Sequence, residues 1–213
     1  VSPATLLPQA FFAREADEVA RDLIGRLLVR DRGTPSEVVL RIVEVEAYGG
    51  PEDSASHCRF GRTARNAPMW GPPGHAYVYV CYGLHSMLNL VTGEAGRGQA
   101  VLVRACEPLA GLEVIMARRG GRCGPPLLAG PGKVAAALAV DRAFSGAPLF
   151  VPGPLEVHEG EPVPDDAIAV GRRVGIDYAS ARDRAARRRF ALAGSAAVSA
   201  PRTGLLRLTR KRR

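Results

Sequence analysis

The sequence predicts an α+β fold: a single domain over residues 1–213 with a mostly antiparallel sheet and helices packed around it. Three observations carry this. Apolar and polar residues alternate over Val38–Tyr48, the period of two of a strand. Runs rich in aromatic and β-branched residues follow one another across short glycine-bearing turns, which makes sequence neighbours antiparallel hairpin partners. No internal repeat or linker divides the chain, and its length suits one core.

The elements follow in order. Over 9–30, Phe11, Phe12, Val19, Ala20, Leu23 and Ile24 fall near helical spacing, with acids early and arginines later, as the helix dipole favours; Leu27-Leu28-Val29 already reads as a strand. A turn at 31–36 leads into Val38–Tyr48. There Val43, Val45 and Ala47 share one face and Glu44, Glu46 and Tyr48 the other. A solvated face would more naturally carry Lys, Thr or Ser. Gly49-Gly50-Pro51 stops the strand. His57–Gly74 bears Arg59, Arg62 and Arg65 with few core formers, and is expected to be a long functional loop.

Tyr77–Tyr82 is the next strand, turned by Gly83-Leu84-His85 into Met87–Val91; Gly93–Gly98 turns the chain again into Gln99–Ala105. Leu109–Arg119 reads as a helix. Gly130-Pro131-Gly132-Lys133 opens another over Val134–Val140, where first-turn amides and Lys133 suit a phosphate, although the full P-loop pattern is missing. Short β-segments are expected over 149–174, at Phe190–Gly194 and at Ala197–Ser199; the basic tail, Arg207–Arg213, is expected to be mobile.

Lys and Arg number 29 against 21 Asp and Glu, a formal charge of +8 that suits a polyanionic partner. Arginine-heavy usage also follows from genome composition, since lysine occurs only at 133 and 211. Apolar stretches are broken too early to span a membrane, and no basic segment precedes an apolar run at the start, so a cytoplasmic protein is expected. Cys58, Cys81, Cys106 and Cys123 form no C-x-x-C pair; reduced thiols and no metal site are expected.

Around the central strands stand Glu44, Glu46, Tyr48, His57, Tyr77, Tyr79, Tyr82, His85, Asn89 and Arg104. Four of the five tyrosines lie between 48 and 82 beside the arginine-rich loop, a combination suited to stacking a planar ligand while holding an anionic backbone. An ordinary wet-edged tyrosine core is the bland alternative.

Several motifs resemble the alkyladenine (3-methyladenine) DNA glycosylase family: Glu46-Ala47-Tyr48-x-Gly50-Pro51-Glu52-Asp53-x-Ala55-x-His57, Arg65-Asn66, Tyr77-Val78-Tyr79-x-x-Tyr82-Gly83, Asn89, Val101-Leu102-Val103-Arg104-Ala105-x-Glu107-Pro108 and Gly130-Pro131-x-Lys133. Such matches run in order along nearly the whole chain. The resemblance implies a curved sheet with a protruding hairpin. It also implies a monomeric, monofunctional enzyme that needs no metal, cofactor or lysine nucleophile and acts on damaged purines in double-stranded DNA, associated with a bacterial nucleoid. Glu46 would be the general base and Arg104 its partner in positioning water. Tyr48, His57 and Tyr79 would sandwich the flipped base, Asn89 would obstruct guanine, and Tyr82 would be the intercalating wedge.

Arg59, Arg62, Arg65 and Lys133 are phosphate-contact candidates on charge and loop context. Glu44 either tunes Glu46 or forms an ordinary ion pair, the simpler reading. Two rivals stand beside this one. An O-glycoside hydrolase would pair Glu46 with Glu52 or Asp53, and a non-catalytic lesion-binding protein would not need Glu46.

Overall fold

The computed structural model describes residues 5–208. Helices α1 (Gln9–Phe12) and α2 (Ala16–Leu23) replace the one helix expected over 9–30. The break lets Phe12 and Val19 both reach the core. Gly25, at φ +89°, then turns the chain into strand β1 (Leu27–Arg30); a side chain there would meet the Glu161 carbonyl at 2.8 Å. Next come β2 (Val38–Tyr48), β3 (Ala76–Cys81), β4 (His85–Thr92) and β5 (Gln99–Ala110). Helices α3 (Leu112–Arg118) and α4 (Pro131–Ala137), strands β6 (Leu155–His158) and β7 (Ile168–Gly171), helix α5 (Ala181–Ala185), and strands β8 (Arg189–Leu192) and β9 (Leu206–Arg207) complete the chain.

These form a single compact α+β domain around an open sheet ordered β3-β4-β5-β2-β8-β7-β9, with β1 joining β2 to β6; every pairing is antiparallel. Helix α2 packs on β2 and β5, and α4 on β4 and β5, closing a core that includes Leu40, Val45, Leu88, Val103 and Leu138.

Some local expectations need correction. Ala197–Ser199 is not a strand; the last strand among the described residues is β9, paired with β7. The arginine-bearing loop has core anchors after all, because Cys58 and Met69 pack with Tyr77, Val91 and Ala100. Of the tail expected to be mobile, Arg207 lies in β9 and residues 209–213 lie outside the described residues.

Two irregularities place the functional side chains. Where β2 meets β5, Ile42 faces Cys106 but Glu44 faces Ala105, and Val45 faces Val103. Val43 on β2 and Arg104 on β5 are thus skipped by the ladder, as at β-bulges, which re-aim side chains. The other irregularity is the β3–β4 turn. Tyr82 and Gly83 both have positive φ, +51° and +69°, and Leu84 N–H donates to the Cys81 carbonyl at 3.1 Å. That is the type I′ pattern, which favours Asn or Gly at both central positions. Tyr82 is 91% exposed, so no packing compensates its strain.

Candidate active site

Glu44 and Glu46 are both fully buried on β2, a position no carboxylate holds without partners. Glu46 has three: Oε1 accepts from the Val174 amide at 2.7 Å, and Oε2 accepts from the Tyr48 hydroxyl at 2.9 Å and faces Arg104 Nη1 at 3.3 Å. Glu44 Oε1 accepts from Arg104 Nε (3.1 Å), Arg189 Nε (2.7 Å) and Ser199 Oγ (2.9 Å), while Oε2 takes the Ser199 amide at 2.6 Å. Arg104 is therefore a bridge between the two carboxylates, and Ser199 Oγ receives its Nη2 at 3.2 Å. Burial weakens a guanidinium's hold on its proton, but the charges of Glu46 and Glu44 outweigh this and raise the Arg104 pKa. Burial and then the Glu46 charge raise the Tyr48 pKa well above its usual value, so its hydroxyl stays a donor.

In front of this network lies a cavity of about 460 Å³. Tyr48, His57, Tyr79, Asn89, Arg104 and Val174 line it, and Tyr82 stands at its edge. Glu46 does not open on the cavity; it lies behind Tyr48, Arg104 and Val174, each of which both binds it and faces the space. His57 and Tyr79 touch edge-on, with centroids 4.4 Å apart at 74°, and form one wall together. Tyr48 forms another, carrying the Arg173 guanidinium 4.7 Å from its ring centroid. Asn89 spends its Nδ2 on the Tyr77 and Met87 carbonyls at 3.1 and 3.3 Å.

His57 Nδ1 lies 2.9 Å from the Tyr77 hydroxyl. Burial, helped by Arg65 and Arg59, lowers its pKa from 6.5 to about 4. The ring is thus neutral in the folded protein at neutral pH. The unfolded chain binds a proton between pH 6.5 and 4 that the folded one does not, so this contribution to stability is full above about pH 6.5 and declines as pH falls towards 4. Urea denaturation at stepped pH is expected to show a steeper loss for wild type than for His57→Gln over that window.

The phosphate candidates separate. Arg65 reaches the cavity edge, its guanidinium 5.9 Å from the Tyr79 centroid; Arg59 stacks between Phe60 and Tyr178 at 4.6 and 4.9 Å; Arg62 is exposed. Lys133 lies elsewhere, in a neighbouring groove. Glu44 takes the ion-pair reading, and His85 sits exposed against Gly132.

Sequence reasoning missed Val174 and Tyr178, which a segment between β7 and α5 brings to the cavity, and Arg173, which the same segment lays over the Tyr48 ring. Arg173 grips Asp53 with two hydrogen bonds, 2.5 and 2.9 Å, and Tyr178 donates to the Ala55 carbonyl at 2.8 Å. Their only signals were the glycines flanking Arg172-Arg173-Val174 and the one tyrosine outside the 48–82 cluster. Although burial raises the pKa of Asp53, Arg173 and the amides of Gly49 and Ala55 pull it below its usual value. Asp53, held ionised by Arg173, is not the protonated acid that an O-glycoside hydrolase pairs with a second carboxylate, and Glu52 is exposed at the surface.

Among the described residues no helix is long and apolar enough to cross a membrane. Comparison with known proteins places this geometry in a lineage. An Arabidopsis thaliana protein named DNA-3-methyladenine glycosylase is 50% identical over 206 residues, 96% of this chain and 78% of its own. A Nitrosococcus oceani protein provisionally named 3-methyladenine DNA glycosylase is 55% identical over 194 residues, covering 91% and 93% of the two chains. One from Methanocella arvoryzae, named in the same provisional way, is 46% identical over 175 residues, 82% of this chain and 86% of its own. The family model for methylpurine-DNA glycosylase matches residues 10–196, nearly the whole described domain with every cavity residue in it, so the chain belongs to that family of DNA-binding hydrolases of N-glycosyl bonds.

Proposed function

We propose that the protein turns an alkylated or deaminated purine nucleotide out of duplex DNA and hydrolyses its N-glycosidic bond, beginning base excision repair in a cytoplasmic, nucleoid-bound setting as a monomer. The observation that carries this reading is the buried Glu46–Arg104 pair behind a cavity walled by aromatic rings. The flipped base lies between Tyr48 and the His57–Tyr79 wall, with Asn89 limiting what fits at the floor. A water that takes the place of the Tyr48 hydroxyl on Glu46 Oε2 gives its proton to Glu46 as its oxygen bonds to the sugar C1′. The C1′–N bond breaks and its electrons leave with the purine, which departs neutral if it was cationic and otherwise as an anion that takes a proton from solvent. The products are the free base and an abasic site. The Glu46 carboxylate also offsets positive charge that builds on the sugar. Arg104 holds the carboxylate in place.

Release of hypoxanthine or ethenoadenine from a single-lesion duplex under single-turnover conditions tests the reading. No release of either base, or of methylated purines, by protein that still binds lesions selectively would move the assignment to a lesion-binding protein.

Tyr82 enters the duplex as the wedge that fills the vacated stack. Its substitution separates function from folding. Tyr82→Asn is expected to slow excision about 10- to 100-fold, the loss of one stacking interaction of about 1–3 kcal/mol. It is also expected to raise folding stability by about 0.5–1 kcal/mol, because asparagine tolerates the left-handed backbone that strains tyrosine. Paired excision assays and urea melts read both signs.

A further inference from the structure

Beside the aromatic cavity, beyond Met87 and Pro131, which line both, lies a second groove of about 680 Å³. Its cations are Arg119 and Arg122, just after α3, and Lys133 on α4, and the imidazole of His85 at the start of β4 stands beside them. No carboxylate among the described residues lines it or pairs with these cations. Arg119 Nε donates to the Leu127 carbonyl at 3.2 Å and Lys133 Nζ to that of Pro126 at 3.1 Å, while Arg122 makes no hydrogen bond or ion pair with any described residue. By contrast, the buried Arg104, Arg173 and Arg189 are all matched to acids. The groove is also firmly built: a Cβ on Gly132 would stand 3.0 Å from His85 Cβ and 3.1 Å from its Cγ, so the turn end of the β3–β4 hairpin rests directly on α4.

Unmatched cations gathered on one concave surface repel one another, and an anion that enters relieves the repulsion. Burial, and then the Arg122 charge, lower the Arg119 pKa, in keeping with that crowding. Apart from Met87, the rest of the lining is glycine, proline and alanine, with no side chain to read a base edge. The site suits a repeating anion, not a nucleoside.

We propose that this groove is a track for the phosphate backbone of duplex DNA, engaged on damaged and undamaged duplex alike. The identity of the polyanion rests on the DNA glycosylase reading above, and on the continuity of the groove with the base cavity. Phosphate contacts position the protein without carrying sequence or lesion information.

The test is equilibrium binding across a salt series, on an undamaged duplex and on the same duplex with one ethenoadenine, in the Glu46→Gln background so that no base is released. Arg119→Ala and Arg122→Ala should each weaken both complexes about 3- to 10-fold at about 0.1 M salt and lower the slope of log K against log salt by about 0.9 for each phosphate left without its cation. The ratio of the two affinities should hold. Arg119→Lys and Arg122→Lys should restore the slope. Arg21→Ala, which removes the same charge from an arginine paired with Asp165, should leave the slope unchanged.

An unchanged slope in the Arg119→Ala/Arg122→Ala double variant overturns the proposal. So does a weakening confined to the lesion duplex, or an equal weakening in Arg21→Ala, which would reduce the effect to net charge. Undamaged-duplex binding is read without catalysis. Groove-dependent binding together with no base release by the protein with Glu46 intact would therefore sink the catalytic reading and leave this one standing.

Discussion

Glu46→Gln is expected to slow base release by about 10³-fold while lesion binding stays within a few fold. Glutamine keeps the size of the side chain, and its oxygen can still accept the Val174 amide that Glu46 Oε1 takes at 2.7 Å. What disappears is the proton acceptor and the negative charge. The amide group would also set an N–H against Arg104 Nη1 and the Tyr48 hydroxyl, both of which now point at Oε2. The lining rings do not depend on that charge, so the base should still enter the cavity. Single-turnover excision with binding measured in parallel gives the answer. Activity untouched by the substitution would leave the family membership standing and remove Glu46 from the mechanism.

Glu44→Ala is expected to cost about 3–5 kcal/mol of folding stability, because one carboxylate serves two buried arginines. Arg104 and Arg189 are 7% and 2% exposed, and without Glu44 both lose their closest acid; Ser199 loses the acceptor of its amide as well. Glu44→Gln retains acceptor oxygen and should cost less. Urea denaturation of the three proteins orders them. A Glu44→Ala protein as stable as wild type would mean that water satisfies the arginines and that the network holds nothing in place.

Much of this was legible in the residues themselves. Alternation over Val38–Tyr48 put Glu44, Glu46 and Tyr48 on one face, and the structure places them there, facing Arg104 and Val174. Successive hairpins specified antiparallel pairing, and β1–β2, β3–β4 and β4–β5 pair in that way. Periodicity succeeds here because it records which side of a local segment meets the core. It misled over 9–30, where α1 and α2 share one apolar spacing but the chain breaks between Phe12 and Ala16, whereas the strand read at Leu27-Leu28-Val29 is β1. It misled again at Ala197–Ser199, an apolar run that pairs with no strand because the Ser199 amide goes to Glu44.

Local pattern was enough for the fold class, the acidic and aromatic face of the central strand and the ring cluster; the turn read over Gly83–His85 falls instead at Tyr82-Gly83, with His85 already in β4. Tertiary structure alone decided how these become a site. The skipped positions Val43 and Arg104 depend on how two strands about 60 residues apart settle their register, and that register lets one guanidinium reach both carboxylates. Val174 and Tyr178 reach the cavity, and Arg173 reaches the Ala47 carbonyl behind it, only because a segment more than 120 residues downstream returns to Ala47, Glu46 and Ala55. A side chain's local pattern reports burial; its partner is chosen by where the distant chain comes back, since a buried charge is stable only where an opposite charge and hydrogen bonds meet it.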